Sequence, residues 1–123
     1  TDVFPFHVTQ LLSFSLRDIL VLMCKRQMPY QSAMFLTWSS LNVIDALHEV
    51  GYIHRDINPY NFAVGSWPND LQVYILGFGM VHKYVNEKGI PKPPRKKVRF
   101  VGNLKYCSRA CHEERERSRK DDW

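Results

Sequence analysis

The stretch Gly51-Tyr52-Ile53-His54-Arg55-Asp56-Ile57-Asn58-Pro59-Tyr60-Asn61-Phe62-Ala63-Val64-Gly65 decides how this chain is read. It opens at a glycine that closes a helical pattern and ends in a short β-rich run. Between them lie a histidine, an arginine, an aspartate and two asparagines, a density of polar chemistry that a structural loop seldom needs. Asp and Asn do cap backbone groups in loops, so the residues around the stretch must decide whether Asp56 and Asn61 are turn formers or site residues.

Upstream, Met34, Trp38, Leu41, Ile44 and Leu47 recur at steps of three and four. With Ser32 before them and Gly51 after, they predict one helix over 32–49 whose aromatic and Met stripe packs into a core. Earlier still, Ser15 before Leu16-Arg17-Asp18-Ile19-Leu20 predicts a capped short helix running towards Lys25. Val3 to Gln10 reads as a strand, with Pro5 confining its early part to an edge. Downstream, Phe62-Ala63-Val64 and Gln72-Val73-Tyr74-Ile75-Leu76 flank the turn-forming Gly65 to Asp70 and predict a hairpin behind the long helix. Residues 82–101, broken by Gly89, Pro91, Pro93 and Pro94, read as a long exposed loop. Glu113 to Asp122 reads as a solvated mixed-charge face or turn.

A chain of 123 residues with 45% hydrophobic and 24% charged side chains fits one globular domain or a piece of one, and excludes a wholly disordered or collagen-like protein. No apolar run approaches the roughly 18 residues a membrane span requires, and no secretory leader precedes the first elements, so the expected setting is intracellular, cytoplasmic or nuclear, with no membrane partner. Cys24, Cys107 and Cys111 contain no C-x-x-C pair; Cys107, Cys111 and His112 lack a fourth ligand at zinc spacing, and free thiols in a reducing compartment are the expectation. Charge is uneven: residues 1–81 carry four basic side chains against six acidic, and residues 82–123 thirteen against six. Such a field attracts anions to the C-terminal third.

His54-Arg55-Asp56 followed five residues after the aspartate by Asn61 resembles the protein-kinase catalytic loop H-R-D-x-x-x-x-N, and Gly77-Phe78-Gly79 follows where a kinase has D-F-G. The segments Asn61 to Gly65, Val73 to Gly79, Gly102-Asn103-Leu104-Lys105-Tyr106-Cys107-Ser108 and Arg119-Lys120-Asp121-Asp122 are similar to the casein kinase 1 family, and within it to the tau-tubulin kinase branch. The resemblance implies an α+β, protein-kinase-like fold, mostly a C-lobe fragment, predominantly helical with short β-hairpins. Residues 1–12 would be the last N-lobe strand and the hinge, and 13–123 the C-lobe up to the start of helix αF. The Gly-rich loop, the strand-three Lys and the αC Glu would fall before Thr1.

Site roles follow by resemblance. Asp56 stands at the proton-acceptor position and Asn61 at a metal position, while Gln10, Leu12, Ala63 and Leu76 line the adenine site. ATP and Mg²⁺ are the family's cofactors, with binding by this chain in doubt because of two departures. Gly77 replaces the metal-ligand Asp, and Asn58 replaces the Lys that contacts the transferred phosphate. Asn103 further replaces the usual Thr after the glycine, and Ser13-Phe14 the usual Gly-Pro beside the hinge. His54 is expected to pack and hydrogen-bond rather than react, and Arg55 to pair with an acidic or phosphorylated segment. These departures point to a catalytically impaired kinase domain, with part of an active ATP-dependent Ser/Thr kinase as the alternative.

Lys92, Arg95, Lys96, Lys97 and Arg99 fall where the family's activation segment lies, and suit acidic or phosphorylated protein segments through charge-assisted bonds to phosphate. That reading makes an acidic- or phosphopeptide-binding scaffold a further alternative. Nucleic acid is the less favoured partner, since only Phe100 is at hand to stack on a base.

Overall fold

Ser15 begins the first helix. Its hydroxyl accepts from the Asp18 amide at 3.1 Å while the Asp18 carboxylate takes the Ser15 amide at 3.2 Å, a reciprocal capping box. In the computed structural model, which describes residues 6–25, 27–68 and 71–123, this helix has one α turn, α1 (Leu16–Asp18), and continues as a π-helix over Ile19–Met23. The expected strand over 3–10 does not form in its described part: residues 6–14 have no strand, and residues 1–5 lie outside the described residues. The chain instead touches the sheet further on, where the Ser13 amide donates to the Val64 carbonyl at 2.9 Å and the Val64 amide to the Phe14 carbonyl at 3.0 Å.

The long helix is α2 (Tyr30–Glu49), starting two residues before the expected position with Pro29 at its N-cap, and the chain leaves it at Gly51. Proline fixes the entry dihedral and lacks only an amide that a first turn leaves unpaired anyway. Its buried stripe is narrower than the sequence pattern suggests. Ile44 and His48 are buried and Leu36, Leu41, Val43 and Leu47 half-buried, but Met34 and Trp38 are 52% and 65% exposed. The stripe packs where the hairpin lies beneath it, from Leu36 to His48, and Met34 and Trp38 fall outside that contact.

Beyond Gly51 come β1 (Tyr52–Ile53), β2 (Phe62–Val64), β3 (Val73–Ile75), a 3₁₀ turn over Phe78–Met80, β4 (His82–Lys83), the short helix α3 (Arg109–His112) and a second 3₁₀ turn, Arg119–Asp121. β2 and β3 form the expected antiparallel hairpin, Ala63 opposite Tyr74, and pack on α2 through a core of Ile44, Phe62 and Val73 with Leu16, Leu36, Ile57 and Ile75 around it. β1 pairs antiparallel with β4, Ile53 opposite His82. Residues 82–101 are therefore not one open loop: they begin in a strand, and Val85 bridges Pro91 around a turn whose Asn86 side chain accepts from the Lys88 and Ile90 amides. The architecture is α+β with short antiparallel strand pairs, and no helix among the described residues is long and apolar enough to cross a membrane.

The C-terminal charged run corrects the expectation of a solvated face. Arg117 and Asp122 are buried, with 6% and 3% exposure, and both reach back to the loop that follows β1.

Candidate functional site

Residues 54–61 run between β1 and β2 and are held from three sides. From below, the Asp122 carboxylate accepts the backbone amides of His54 at 2.6 Å and Arg55 at 2.9 Å, and its Oδ2 also meets His48 Nε2 at 3.0 Å. A carboxylate satisfied by two main-chain amides is charge-assisted and fixes the backbone it binds. On the sheet side, the fully buried His54 accepts the Asp56 amide at Nδ1 (3.3 Å), which leaves Nε2 to donate to the Leu76 carbonyl at 2.8 Å. Phe78 packs edge-on against its ring. His54 is thus the packing residue that the sequence predicts.

The third side comes from 101–117. Arg117 Nη1 donates to the Val101 carbonyl and lies 3.4 Å from the Arg55 carbonyl. Gly102 approaches that carbonyl so closely that a Cβ on it would sit 2.5 Å away. Its φ of +109° suits glycine alone, and any larger residue would push the two segments apart.

Inside the loop the polar side chains satisfy one another. Asn61 Nδ2 donates to the Asp56 carbonyl at 2.8 Å and to Asp56 Oδ2 at 2.9 Å; Asn58 Nδ2 donates to the same carbonyl at 3.0 Å while its Oδ1 accepts the Tyr60 amide. Asn58 is buried, so it braces the turn rather than facing a ligand. Asp56 Oδ1 is buried without a protein partner among the described residues, as are His48 Nδ1 and Arg117 Nη2 on the residues that hold the loop. That oxygen is free to accept a hydrogen bond from a hydroxyl.

Gly77 has φ +78° and ψ +39°, and a Cβ there would stand 2.5 Å from Asn61 Oδ1. Because Asn61 Nδ2 is tied to Asp56, its amide oxygen is turned towards Gly77. For the Mg²⁺ that the kinase resemblance implies, these residues offer one neutral amide oxygen and no second carboxylate. Mg²⁺ takes six oxygens in a strict octahedron, usually with one or two carboxylates. No group of three His, Cys, Asp or Glu side chains able to hold a metal occurs among the described residues. The protein oxygens at this point are the Asp56 carboxylate and the Asn61 amide oxygen, and Gly77 adds no carboxylate to them.

The residues expected at the adenine site differ in exposure. Ala63 is buried, bridged by Ser15 and opposed by Tyr74, whereas Gln10 is exposed and Leu12 and Leu76 are half-buried. An apolar cavity of about 500 Å³ lies beside α2, between Leu36, Leu41, Ile44, Ile57 and Trp123.

Of the five expected phosphate-binding residues, two are already paired. Arg95 grips Glu116 bidentately, Nε to Oε2 and Nη2 to Oε1, and Lys97 meets Glu114 at 3.2 Å. The guanidinium hydrogen bonds hold the Glu116 carboxyl down at about 2. Lys92 donates to the Lys83 carbonyl, while Lys96 and Arg99 are exposed and form no ion pair among the described residues. Arg55 sits close behind: burial, then the neighbouring Arg117 and Arg95, lower its pKa, and its Nε donates to the Met80 carbonyl rather than to an acid. His82, between the same cations, is also lowered, first by burial and then by Arg55.

Asp122, Arg117 and His48 escaped the sequence reading as members of this site. The only signal was the final Asp121-Asp122 pair, visible as a motif but silent about its partners 68 residues away.

No protein-family model matches the chain. Individual proteins do. A serine/threonine-protein kinase of Caenorhabditis elegans is 31% identical over 123 residues, all of this chain and 37% of its own length. The serine/threonine-protein kinase spe-6 of the same organism is 30% identical over 99% of the chain and 32% of its own length, and a C. elegans protein named as a casein kinase I is 30% identical over 98% and 36%. The chain spans about a third of the length of these curated relatives. From end to end, then, it is similar to one segment of serine/threonine-protein kinases, one named as a casein kinase I among them.

Proposed function

We propose that the chain is the C-lobe part of a casein kinase 1-like Ser/Thr kinase domain, on the tau-tubulin kinase branch, with impaired phosphoryl transfer. Residues 1–12 correspond on this reading to the last N-lobe segment and the hinge, and 13–123 to the C-lobe up to the start of αF. Asp56 keeps the proton-acceptor position and Asn61 the neighbouring metal position. The observation that carries the impairment is Gly77, which brings no carboxylate and whose missing Cβ leaves room for the Asn61 amide to close on Asp56. Phosphoryl transfer rests on positioning and electrostatics, so loss of a metal carboxylate costs roughly 10³-fold or more in rate.

The test is transfer from Mg·ATP to casein by the purified chain and by its Asp56→Asn variant. The expected result is no Asp56-dependent phosphorylation. Robust incorporation that Asp56→Asn abolishes would refute impairment and favour the active-kinase reading.

A second reading concerns the basic segment as a binding surface for acidic or phosphorylated peptides. The exposed Lys96 and Arg99, free of ion pairs among the described residues, support it.

A further inference from the structure

Arg117 is a buried cation whose hydrogen bonds go to neutral groups. Only 6% exposed, it directs Nη1 to the Val101 and Arg55 carbonyls and the Cys111 sulfur, while Nη2 is buried with no acceptor among the described residues. Asp56 has the complementary shortage: Asn61 occupies Oδ2, and Oδ1 is buried with no donor. A charged group left unpaired in the interior forfeits its hydration without compensation.

The two shortages meet at one place. Arg117 and Asp56 both line a cavity of about 10 Å³ between the 54–61 loop and the segment from Asn103 to Asp121. Gly102 marks how near they are. Its Cβ position is 2.5 Å from the Arg55 carbonyl oxygen and 3.6 Å from Asp56 Oδ1, and Arg117 Nη1 is 3.4 Å from the same carbonyl oxygen. No ion pair among the described residues joins Arg117 to Asp56 directly. Asp121, the other carboxylate at the cavity, is already engaged, its Oδ2 accepting the Ser118 amide at 2.8 Å.

We propose that this cavity is a site for one ordered water that links Arg117 to Asp56, accepting a hydrogen bond from Nη2 and donating one to Oδ1. Water meets both shortages because it is donor and acceptor at once. An anion beside Nη2 would face the Asp56 carboxylate, and a cation beside Oδ1 would face the guanidinium. The volume is about that of one water and excludes a phosphate, and Asn103 and Ser108 bring the further polar lining that a buried water uses. Arg117 is then a positioning residue for Asp56: through the water it holds one carboxylate oxygen as Asn61 holds the other, and it supplies near Asp56 the positive charge that Asn58 cannot. This bridge stands whether or not the chain transfers phosphate.

The experiment is a crystal structure of the full chain at a resolution that places waters, with a second crystal soaked in sodium bromide. The expected result is one peak at about 2.7–3.2 Å from both Nη2 and Oδ1, with no bromide anomalous signal in the cavity. Direct contact between Nη2 and Oδ1, bromide in the cavity, or no peak within reach of both atoms would overturn the proposal. The parent structure decides this even where a variant does not fold. Urea unfolding of Arg117→Met, Asp56→Asn and the double variant reads the coupling. Arg117→Met should lower the folding equilibrium constant about tenfold more in the parent than in the Asp56→Asn background, since hydrogen bonds to charged groups are lost only in the parent. Arg117→Lys, which keeps the charge and a donor, should regain part of that coupling, as space filling alone would not. An additive cycle, or equal losses for Arg117→Met and Arg117→Lys, would overturn the positioning role.

Discussion

Gly77 offers the sharpest test, because it separates backbone and packing from chemistry. Gly77→Ala places a Cβ on a residue at φ +78° and 2.5 to 2.9 Å from three atoms of the Asn61 amide. The left-handed backbone alone costs about 1–2 kcal/mol for a residue with a Cβ. Relieving the overlap means rotating Asn61 away from Asp56, which breaks one bond to a carbonyl and one to a carboxylate, worth about 1 and about 1.5–3 kcal/mol. Asn61 is half-buried, so water recovers part of this, and the expected loss is about 2–4 kcal/mol. Gly79, two residues on, is the internal control: nothing lies within 4 Å of its Cβ position, and Gly79→Ala should fall within about 1 kcal/mol of the parent. Urea unfolding followed by tryptophan fluorescence measures both. Asn61→Ala removes the obstructing amide, so in that background the Gly77→Ala penalty should shrink by about 1 kcal/mol or more. Similar costs for the two glycines, or an additive cycle, would refute the packing argument. Gly77→Asp carries the same Cβ and should destabilise similarly; restoring the carboxylate does not by itself restore a metal site.

Asp122→Ala leaves the His54 and Arg55 amides buried without an acceptor, and at about 1–3 kcal/mol for each should cost about 3–5 kcal/mol in all, with amide protection lost first at 54–55. A loss under about 1 kcal/mol would show that the loop holds itself. Glu116 supplies the pH dependence: its carboxyl is held at about 2 by Arg95, below the unfolded value, so the stability it contributes is complete above the ordinary carboxylate range and is lost as pH falls towards 2. Since Arg95 is half-exposed, that contribution is about 1 kcal/mol, and a Glu116→Gln chain should lack this portion of the acid limb in pH-dependent urea melts. The same variant frees the Arg95 fork, so a phosphopeptide titrated in fluorescence anisotropy should bind up to about fivefold more tightly, with an affinity that falls as salt rises. Unchanged affinity would remove Arg95 from the binding surface.

What the sequence disclosed and what it hid divide along the range of the interactions. Helix α2 and the β2–β3 hairpin were legible because period and turn chemistry act over a few residues: Gly51 ends the one, and Gly65 to Pro68 joins the other. The start at Tyr30 was missed because Ser32 looks like a cap, whereas Pro29 begins the helix by fixing a dihedral. The β1–β4 pair was hidden because its strands are two residues long and lie 29 residues apart, too short for any alternation to show. Met34 and Trp38 fit the helical period, yet period reports which face could be buried and not whether a neighbour covers it. Asp122 sat in a charged run that resembles a solvated surface. Only the fold reveals that its carboxylate takes two amides from the loop.

Read from sequence, Asn58 and Gly77 are losses, a missing cation and a missing carboxylate. In the fold each also contributes something. Asn58 Oδ1 accepts the Tyr60 amide while its Nδ2 binds the Asp56 carbonyl, and a lysine, which has donors but no acceptor, could not make the first of these bonds. Gly77 has no Cβ to displace Asn61, whose Nδ2 ties the Asp56 carbonyl and Oδ2 together. Both departures from the kinase pattern therefore act in the same direction. They close the 54–61 loop on its own backbone, with Asp122, His54 and Arg117 holding it from outside. A loop whose polar groups are so fully paired gains rigidity at the expense of free donors and charges for a phosphate. In this arrangement Asp56 Oδ1 remains the one carboxylate oxygen of the loop that is still unpaired.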